Sequence, residues 1–180
     1  MDDLPRHRSL GLRRPLVAVV ERLVIGVFAA VMAFNSASAA EPVGLAVAGF
    51  DFVDTSGEVR DQGADHARRL AALNKTVATS LSGDNRVTVV SLECFGTCSA
   101  ATDGLEFLSE QAVKAGATHL LIGQVRKMST LIGGVKFAII DLSTNRATCD
   151  RFLSYRGDTD EAWGRAAIYT AMDVVKHCLP

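Results

Sequence analysis

Four cysteines are the residues of this 180-residue sequence whose types and spacing could do chemistry most readily. Cys94 and Cys98 share one short segment, CFGTC, whereas Cys149 and Cys178 lie further along the chain. Four cysteines allow three pairings. The sequence favours Cys94–Cys98 together with Cys149–Cys178, because the first two share a loop while the others fall near a sheet edge and on the inner face of the last helix. Two disulfides are therefore expected in an exported chain.

The alternative is a thiol-redox or metal-binding loop built on Cys94 and Cys98. Thioredoxin-type chemistry uses C-x-x-C at a helix start, where the helix N-terminus stabilises a thiolate. Here three residues separate the cysteines, and no helix is predicted to begin at Cys94. Zinc would need further ligands such as His66 or His119, and nothing in the sequence brings them to the loop. No metal or cofactor is predicted.

Acidic residues follow the first predicted strand. Asp51 and Asp54 lie at the predicted carboxyl end of this strand. Acidic residues at the carboxyl ends of parallel strands often line a ligand-binding crevice. The same residues belong to a turn sequence, Asp54-Thr55-Ser56-Gly57, in which short polar side chains bond the nearby backbone. Turn capping is the favoured interpretation, and a small-ligand rim is the alternative.

A second polar segment, RGDTDEAW, occupies residues 156–163. Asp158, with Glu161 three residues later, has the spacing of a reciprocal helix cap, and the acids suit the positive end of the helix dipole. Arg156, Asp158 and Asp160 are the alternative binding residues of this segment.

Motifs that would fix a reaction are missing from the sequence. There is no G-x-S-x-G nucleophile elbow and no glycine-rich phosphate loop. His66 is predicted to be an exposed helix residue, and His119, at the start of a buried strand, a structural one. We therefore predict no catalytic residue and no enzyme.

The hydrophobic pattern predicts an α/β fold with one mixed sheet covered by about three helices, in the order β-α-β-α-β-β-β-α. Two β-α-β crossovers make the first strands parallel, and short connections make the last three an antiparallel meander. Gly133-Gly134 inside a strand indicates a bulge or a close backbone approach. The predicted strands are Val43–Asp54, Val87–Leu92, His119–Met128, Leu131–Leu142 and Ala147–Tyr155, and the helices are Ala64–Leu81, Gly104–Ala115 and Thr159–Cys178.

The first forty residues have the pattern of a secretion signal. Five arginines precede an apolar run, Leu23–Phe34, and small residues with A-x-A spacing follow it. The run is shorter than the roughly 20 residues that a spanning helix needs. We predict a signal peptide over residues 1–40, cleaved after Ala39 or Ala40, and one α/β domain over residues 41–180. The predicted location is the periplasm, with membrane contact only through the leader before cleavage.

Charge argues against nucleic-acid binding. Of 19 basic and 20 acidic residues, the leader holds five and three, which leaves 14 and 17 and a net charge near −3. A nucleic-acid surface needs clustered Lys and Arg.

Several segments resemble a family of secreted bacterial proteins of unknown function, the DUF2380/DUF3280 group. They are residues 50–56, residues 123–132 (GQVRKMSTLI), residues 141–144 (DLST) and, most specifically, residues 156–163. The layout is also similar to the amino-terminal domain of TolB and to CsgG-like periplasmic domains. The resemblance implies a non-catalytic binding or envelope-assembly module with an envelope protein as partner, and it transfers no catalytic residue.

Overall fold

Six strands and four helices make up the part of the chain that the structure, a computed structural model, describes, residues 41–179. The predicted signal peptide lies outside these residues. The elements in chain order are β1 (Val43–Val47), β2 (Asp51–Asp54), α1 (Gly63–Ser82), β3 (Val87–Val90), α2 (Ala100–Asp103), α3 (Leu105–Lys114), β4 (His119–Lys127), β5 (Ile132–Asp141), β6 (Arg146–Arg156) and α4 (Asp160–His177).

The strands form one mixed sheet in the order β3-β1-β4-β5-β6, with β2 also paired to β4. Strand β1 runs parallel to both β3 and β4, and β2 runs parallel to β4. Strands β4, β5 and β6 are antiparallel neighbours. The predicted fold class, parallel first strands followed by an antiparallel meander, is confirmed.

The first predicted strand, Val43–Asp54, is interrupted and becomes β1 and β2. Val47 pairs with Leu121 and Asp51 with Gln124, so three residues on one side face two on the other. The extra residue turns the backbone out of the ladder, and the Gly49 N–H donates to the carbonyl of Cys98 instead, at 2.9 Å. A side chain at Gly49 would collide with the carbonyl of Thr97. The interruption thus seats the cysteine loop on the sheet.

The segment between β3 and α3 contains the short helix α2. Ser99 caps it, accepting a hydrogen bond from the Thr102 N–H at 3.3 Å, and Asp103 accepts one from the Ser99 N–H at 3.0 Å. The carboxylate of Asp103 thus turns back onto α2, and α3 begins without a side-chain cap.

Helices cover both faces of the sheet with different packing. Helices α1 and α4 cover one face, where large side chains including Phe137, Leu121 and Trp163 are buried. On the other face α3 packs Leu108 and Ala112 against smaller residues of β1 and β4. Each face of the sheet thus has its own hydrophobic cluster under the helices, and burial of this apolar surface is the main favourable contribution to folding.

Gly133 and Gly134 provide a close approach rather than a bulge. The ring of Tyr155 lies against Gly133 and that of Phe152 against Gly134, where a Cβ atom would meet the ring. Because neighbouring residues of a strand face opposite sides, the two aromatic rings cover opposite faces of the sheet. The register irregularity lies elsewhere, between Ile139 and Ile140.

No helix within residues 41–179 combines the length and the apolar character that crossing a bilayer requires.

Cys149 of β6 is paired with Cys178 at the end of α4. Their Cα atoms are 5.3 Å apart, and the two residues are separated by 29 positions in the sequence. Closing a loop of this size contributes about 3.6 kcal/mol in the chain-entropy estimate. We expect the double variant Cys149→Ser/Cys178→Ser to lose about that much free energy of unfolding, measured by urea denaturation of oxidised protein. The matched control, Cys94→Ser/Cys98→Ser, opens a much smaller loop and should lose less. Equal losses would contradict this account.

Candidate functional site

The carboxylate of Asp158, in the connection between β6 and α4, is the centre of the densest polar cluster. Four side chains surround it: His66 Nε2 at 2.9 Å, Arg69 Nη1 at 3.0 Å, Trp163 Nε1 at 3.0 Å and Lys127 Nζ at 3.1 Å. The predicted capping role of Asp158 is wrong. Thr159 caps α4 in its place, with its hydroxyl accepting from the Ala162 N–H.

Lys127 carries the positive charge beneath this carboxylate. It ends β4, is 3% exposed, and its ammonium group also contacts the side chains of Glu58 and Gln62. Burial lowers the pKa of Lys127, but hydrogen bonds to Glu58 and Asp158 outweigh that effect and raise it above the usual value. The lysine therefore stays protonated and ties the connection between β2 and α1 to the sheet.

The same contacts hold Asp158 ionised. Burial raises its pKa, but hydrogen bonds from His66, Lys127 and Trp163 prevail and lower the pKa from 3.8 to about 2. The side chain is only 15% exposed, so this charge is stabilised by protein groups far more than by water.

Asp160 extends the cluster to the surface. Its carboxylate accepts hydrogen bonds from Arg68 at 2.6 Å and Arg69 at 2.9 Å, and these bonds lower its pKa to about 2. We refer to all these residues as the Asp158 network. Its members are Glu58, Gln62, His66, Arg68, Arg69, Lys127, Asp158, Asp160 and Trp163.

Sequence reasoning missed most of the network although two periodic signals were present. His66 is 3% exposed, so its predicted exposure is wrong. It lies four residues before Leu70 and so continues the apolar stripe of α1. Lys127 lies two residues after the buried Val125, on the same face of β4. Both are polar residues at inward-facing positions, which require buried partners.

The remaining predicted binding residues do not join this network. Asp54 accepts hydrogen bonds from the N–H and hydroxyl of Ser56, which lower its pKa, as the turn interpretation predicts. Asp51 accepts one from the Ala101 N–H and so holds α2. Arg156 is exposed at the end of β6 and makes no ion pair within residues 41–179. Only Asp158 and Asp160 are brought together.

The Cys94–Cys98 loop is the second candidate site. The two sulfurs are at disulfide distance, with Cα atoms 5.4 Å apart, and Phe95 between them is fully exposed. A groove of about 380 Å³ lies beside the loop at the carboxyl ends of β1 and β3. Among the residues that line the groove are Val47, Asn74, Val89, Leu92 and Thr97.

The zinc set considered from the sequence is not assembled. His66 belongs to the Asp158 network, and His119 contacts the hydroxyl of Thr118. Within residues 41–179, no three His, Cys, Asp or Glu side chains are grouped as metal ligands.

Fold and sites together define a small mixed-sheet α/β domain with a buried ion network and two cysteine pairs at disulfide distance. The sequence matches the model of family DUF3280, described as a protein of unknown function (DUF2380), over residues 43–174. The chain belongs to this family, as the resemblance predicted. No curated protein matches the sequence.

Solved structures with a similar arrangement share little sequence with the chain. The PelC dodecamer from Paraburkholderia phytofirmans is 16% identical, over 73% of this chain and 87% of that one, with a TM-score of 0.46. TolB from Acinetobacter baumannii is 16% identical over 73% and 28%, with a TM-score of 0.42. The LpoB C-terminal domain from Salmonella enterica is 10% identical over 69% and 90%, with a TM-score of 0.41.

The network predicts how stability depends on pH. Asp158→Asn leaves Lys127 and Arg69 buried with less counter-charge, and breaking a buried pair in this way costs roughly 3–5 kcal/mol. We expect a loss of that size at pH 7 in urea denaturation. The folded pKa lies below the unfolded value of 3.8, so the stabilisation by Asp158 is complete above pH 4 and disappears as the pH falls towards 2.

The gap between wild type and Asp158→Asn should accordingly narrow between pH 4 and pH 2. The exposed Glu110→Gln, which removes a carboxylate outside any ion pair of residues 41–179, is the control and should change stability little at either pH. A gap that stays constant over this range would show that Asp158 is not held ionised by the network.

Proposed function

We propose that this protein is a non-catalytic binding module exported to the periplasm, and that it holds an envelope protein through the loop closed by Cys94 and Cys98. The observation that carries the proposal is the exposure of Phe95. An aromatic side chain held fully in water at a loop tip gains roughly 1.5–3 kcal/mol when a partner buries it. Aromatic residues are frequent anchors of protein interfaces.

The loop is fixed before binding. The cysteine pair closes it, and the Cys98 carbonyl accepts a hydrogen bond from the Gly49 N–H on the sheet. Ordering a loop on association costs free energy, and a loop ordered in advance avoids most of that cost. The neighbouring groove offers a second apolar surface for the same partner.

Charge around the loop favours a protein over an anionic membrane surface. Residues 87–113 contain four acids, Glu93, Asp103, Glu106 and Glu110, and no Lys or Arg. Anionic lipid attracts basic segments and repels acidic ones. The expected partner therefore presents an apolar pocket with a neutral or basic rim.

Export is supported by the leader pattern and by the cysteines. The four cysteines of the chain form two pairs at disulfide distance, and such pairs persist in oxidising compartments such as the periplasm.

Substitution of Phe95 tests the proposal. A photocrosslinking residue is placed beside the loop at Thr97, in cells that express the full chain. We expect Phe95→Ser to reduce the crosslinked envelope protein about tenfold or more, since a buried Phe contributes over 1.4 kcal/mol. The control, Val59→Ser, removes an equally exposed apolar side chain outside the loop and should leave crosslinking unchanged. Equal crosslinking in both variants would contradict the proposal, and circular dichroism checks that both remain folded.

A thiol-redox role for the same loop is the second candidate. The observation in its favour is that Cys98 has a φ of 50°, in the left-handed region that residues other than glycine adopt at a cost. Reduction would allow this backbone to relax. Counting thiols in periplasmic protein equilibrated with glutathione buffers separates the two roles. A binding loop should keep both pairs oxidised, whereas a redox loop should exchange Cys94 and Cys98 reversibly with the buffer.

A further inference from the structure

Strand β6 leaves one long edge of the sheet unpaired. It is the outermost strand, 11 residues long, and beyond the irregularity opposite Ile139 and Ile140 its pairing with β5 is regular. Every second residue of such an edge turns its N–H and C=O outwards, where another strand can pair with them. The other end of the sheet, β3, offers only four residues.

An exposed apolar row on α4 reaches this edge through one of its members, Tyr169. Ile168, Tyr169 and Met172 are 48%, 58% and 61% exposed. A groove of about 380 Å³ separates the helix from the strand, and Leu153 and Tyr169 are both among its lining residues. The strand and Tyr169 therefore border the same groove, and the free edge of β6 together with this apolar row is here named the β6 surface.

The charged residues of one β6 strand are complementary to those of a second, antiparallel β6 strand. Asp150 and Arg156 are both exposed and, being six residues apart on a regular strand, lie on the same face of the sheet. In an antiparallel pair of two β6 strands with Leu153 opposite its own copy, Asp150 of each chain faces Arg156 of the other. Opposite charges at directly facing positions stabilise a strand pair. Moving the centre to Phe152 would instead face Asp150 with Ser154.

The geometry points to a second copy of this chain as the occupant of the β6 surface, and we propose a two-fold dimer paired antiparallel along β6. The six-stranded sheets join into one of twelve strands. Leu153 lies at the axis, and because it shares a groove with Tyr169, the α4 helices of both copies lie on the same side of the joined sheet, each with its Tyr169 towards the partner. The proposal does not depend on the Phe95 loop, which lies on another part of the chain.

A charge-swap series tests the register. The protein is matured from the full chain in the periplasm, and its mass is followed by sedimentation equilibrium over a range of concentrations. We expect a wild-type dimer. Asp150→Arg faces two arginines with each other across the pair, and Arg156→Asp faces two aspartates. Each single variant should weaken the dimer about tenfold or more.

The double variant Asp150→Arg/Arg156→Asp restores both pairs with reversed polarity and should dimerise as the wild type does. A wild type that stays monomeric at high micromolar concentration would overturn the proposal. So would a dimer that neither single variant weakens, or one that the double variant does not restore. Circular dichroism checks the fold of each variant, and an unchanged Phe95-dependent crosslink separates failure here from failure of the proposed function.

Discussion

The ion pair between Asp158 and Lys127 is the contact on which the arrangement of this domain depends. Both groups are removed from most of the water that would otherwise solvate them, and a buried charge without partners is strongly unfavourable. Here the cost is offset by hydrogen bonds. The Asp158 carboxylate has four donors around it, and the Lys127 ammonium group donates to Glu58 and Gln62 as well as to Asp158. These groups and Asp158 itself come from β4, α1, the start of α4 and two connections. Movement of any of these elements would remove a contact from one of the two buried charges.

Because the charges of the network are satisfied internally, little of its polarity remains for a ligand. Asp158 and Asp160 suggest a binding site when they are considered as sequence, yet in the fold their oxygens accept from His66, Arg69 and Arg68. The surfaces left for recognition are apolar instead: the tip of the cysteine loop and the row on α4 beside β6. In our proposals these two surfaces bind different partners, an envelope protein and a second copy of the chain.

Each surface is also held in place by a cysteine pair. Cys94–Cys98 closes the loop that carries Phe95, and Cys149–Cys178 connects β6 with the end of α4, the two elements of the dimer surface. Reduction of the two pairs would remove one covalent constraint from each of the two proposed surfaces. The cysteine pairs, which require an oxidising compartment, therefore support the two proposed interactions rather than a catalytic role.

The sequence determined the fold class, the family and the favoured cysteine pairing, because hydrophobic periodicity, short connections and residue spacing are local properties of the chain. It also indicated that Gly133 and Gly134 serve a special backbone role. It did not reveal that His66 and Lys127 are buried against Asp158. His66 lies 92 positions before Asp158 in the sequence, and Lys127 lies 31 positions before it. A carboxylate before a helix has the same local pattern whether it caps the helix or accepts from distant side chains. Only the tertiary structure decided between these roles, since the partners come from strands and helices that meet only when the sheet is complete.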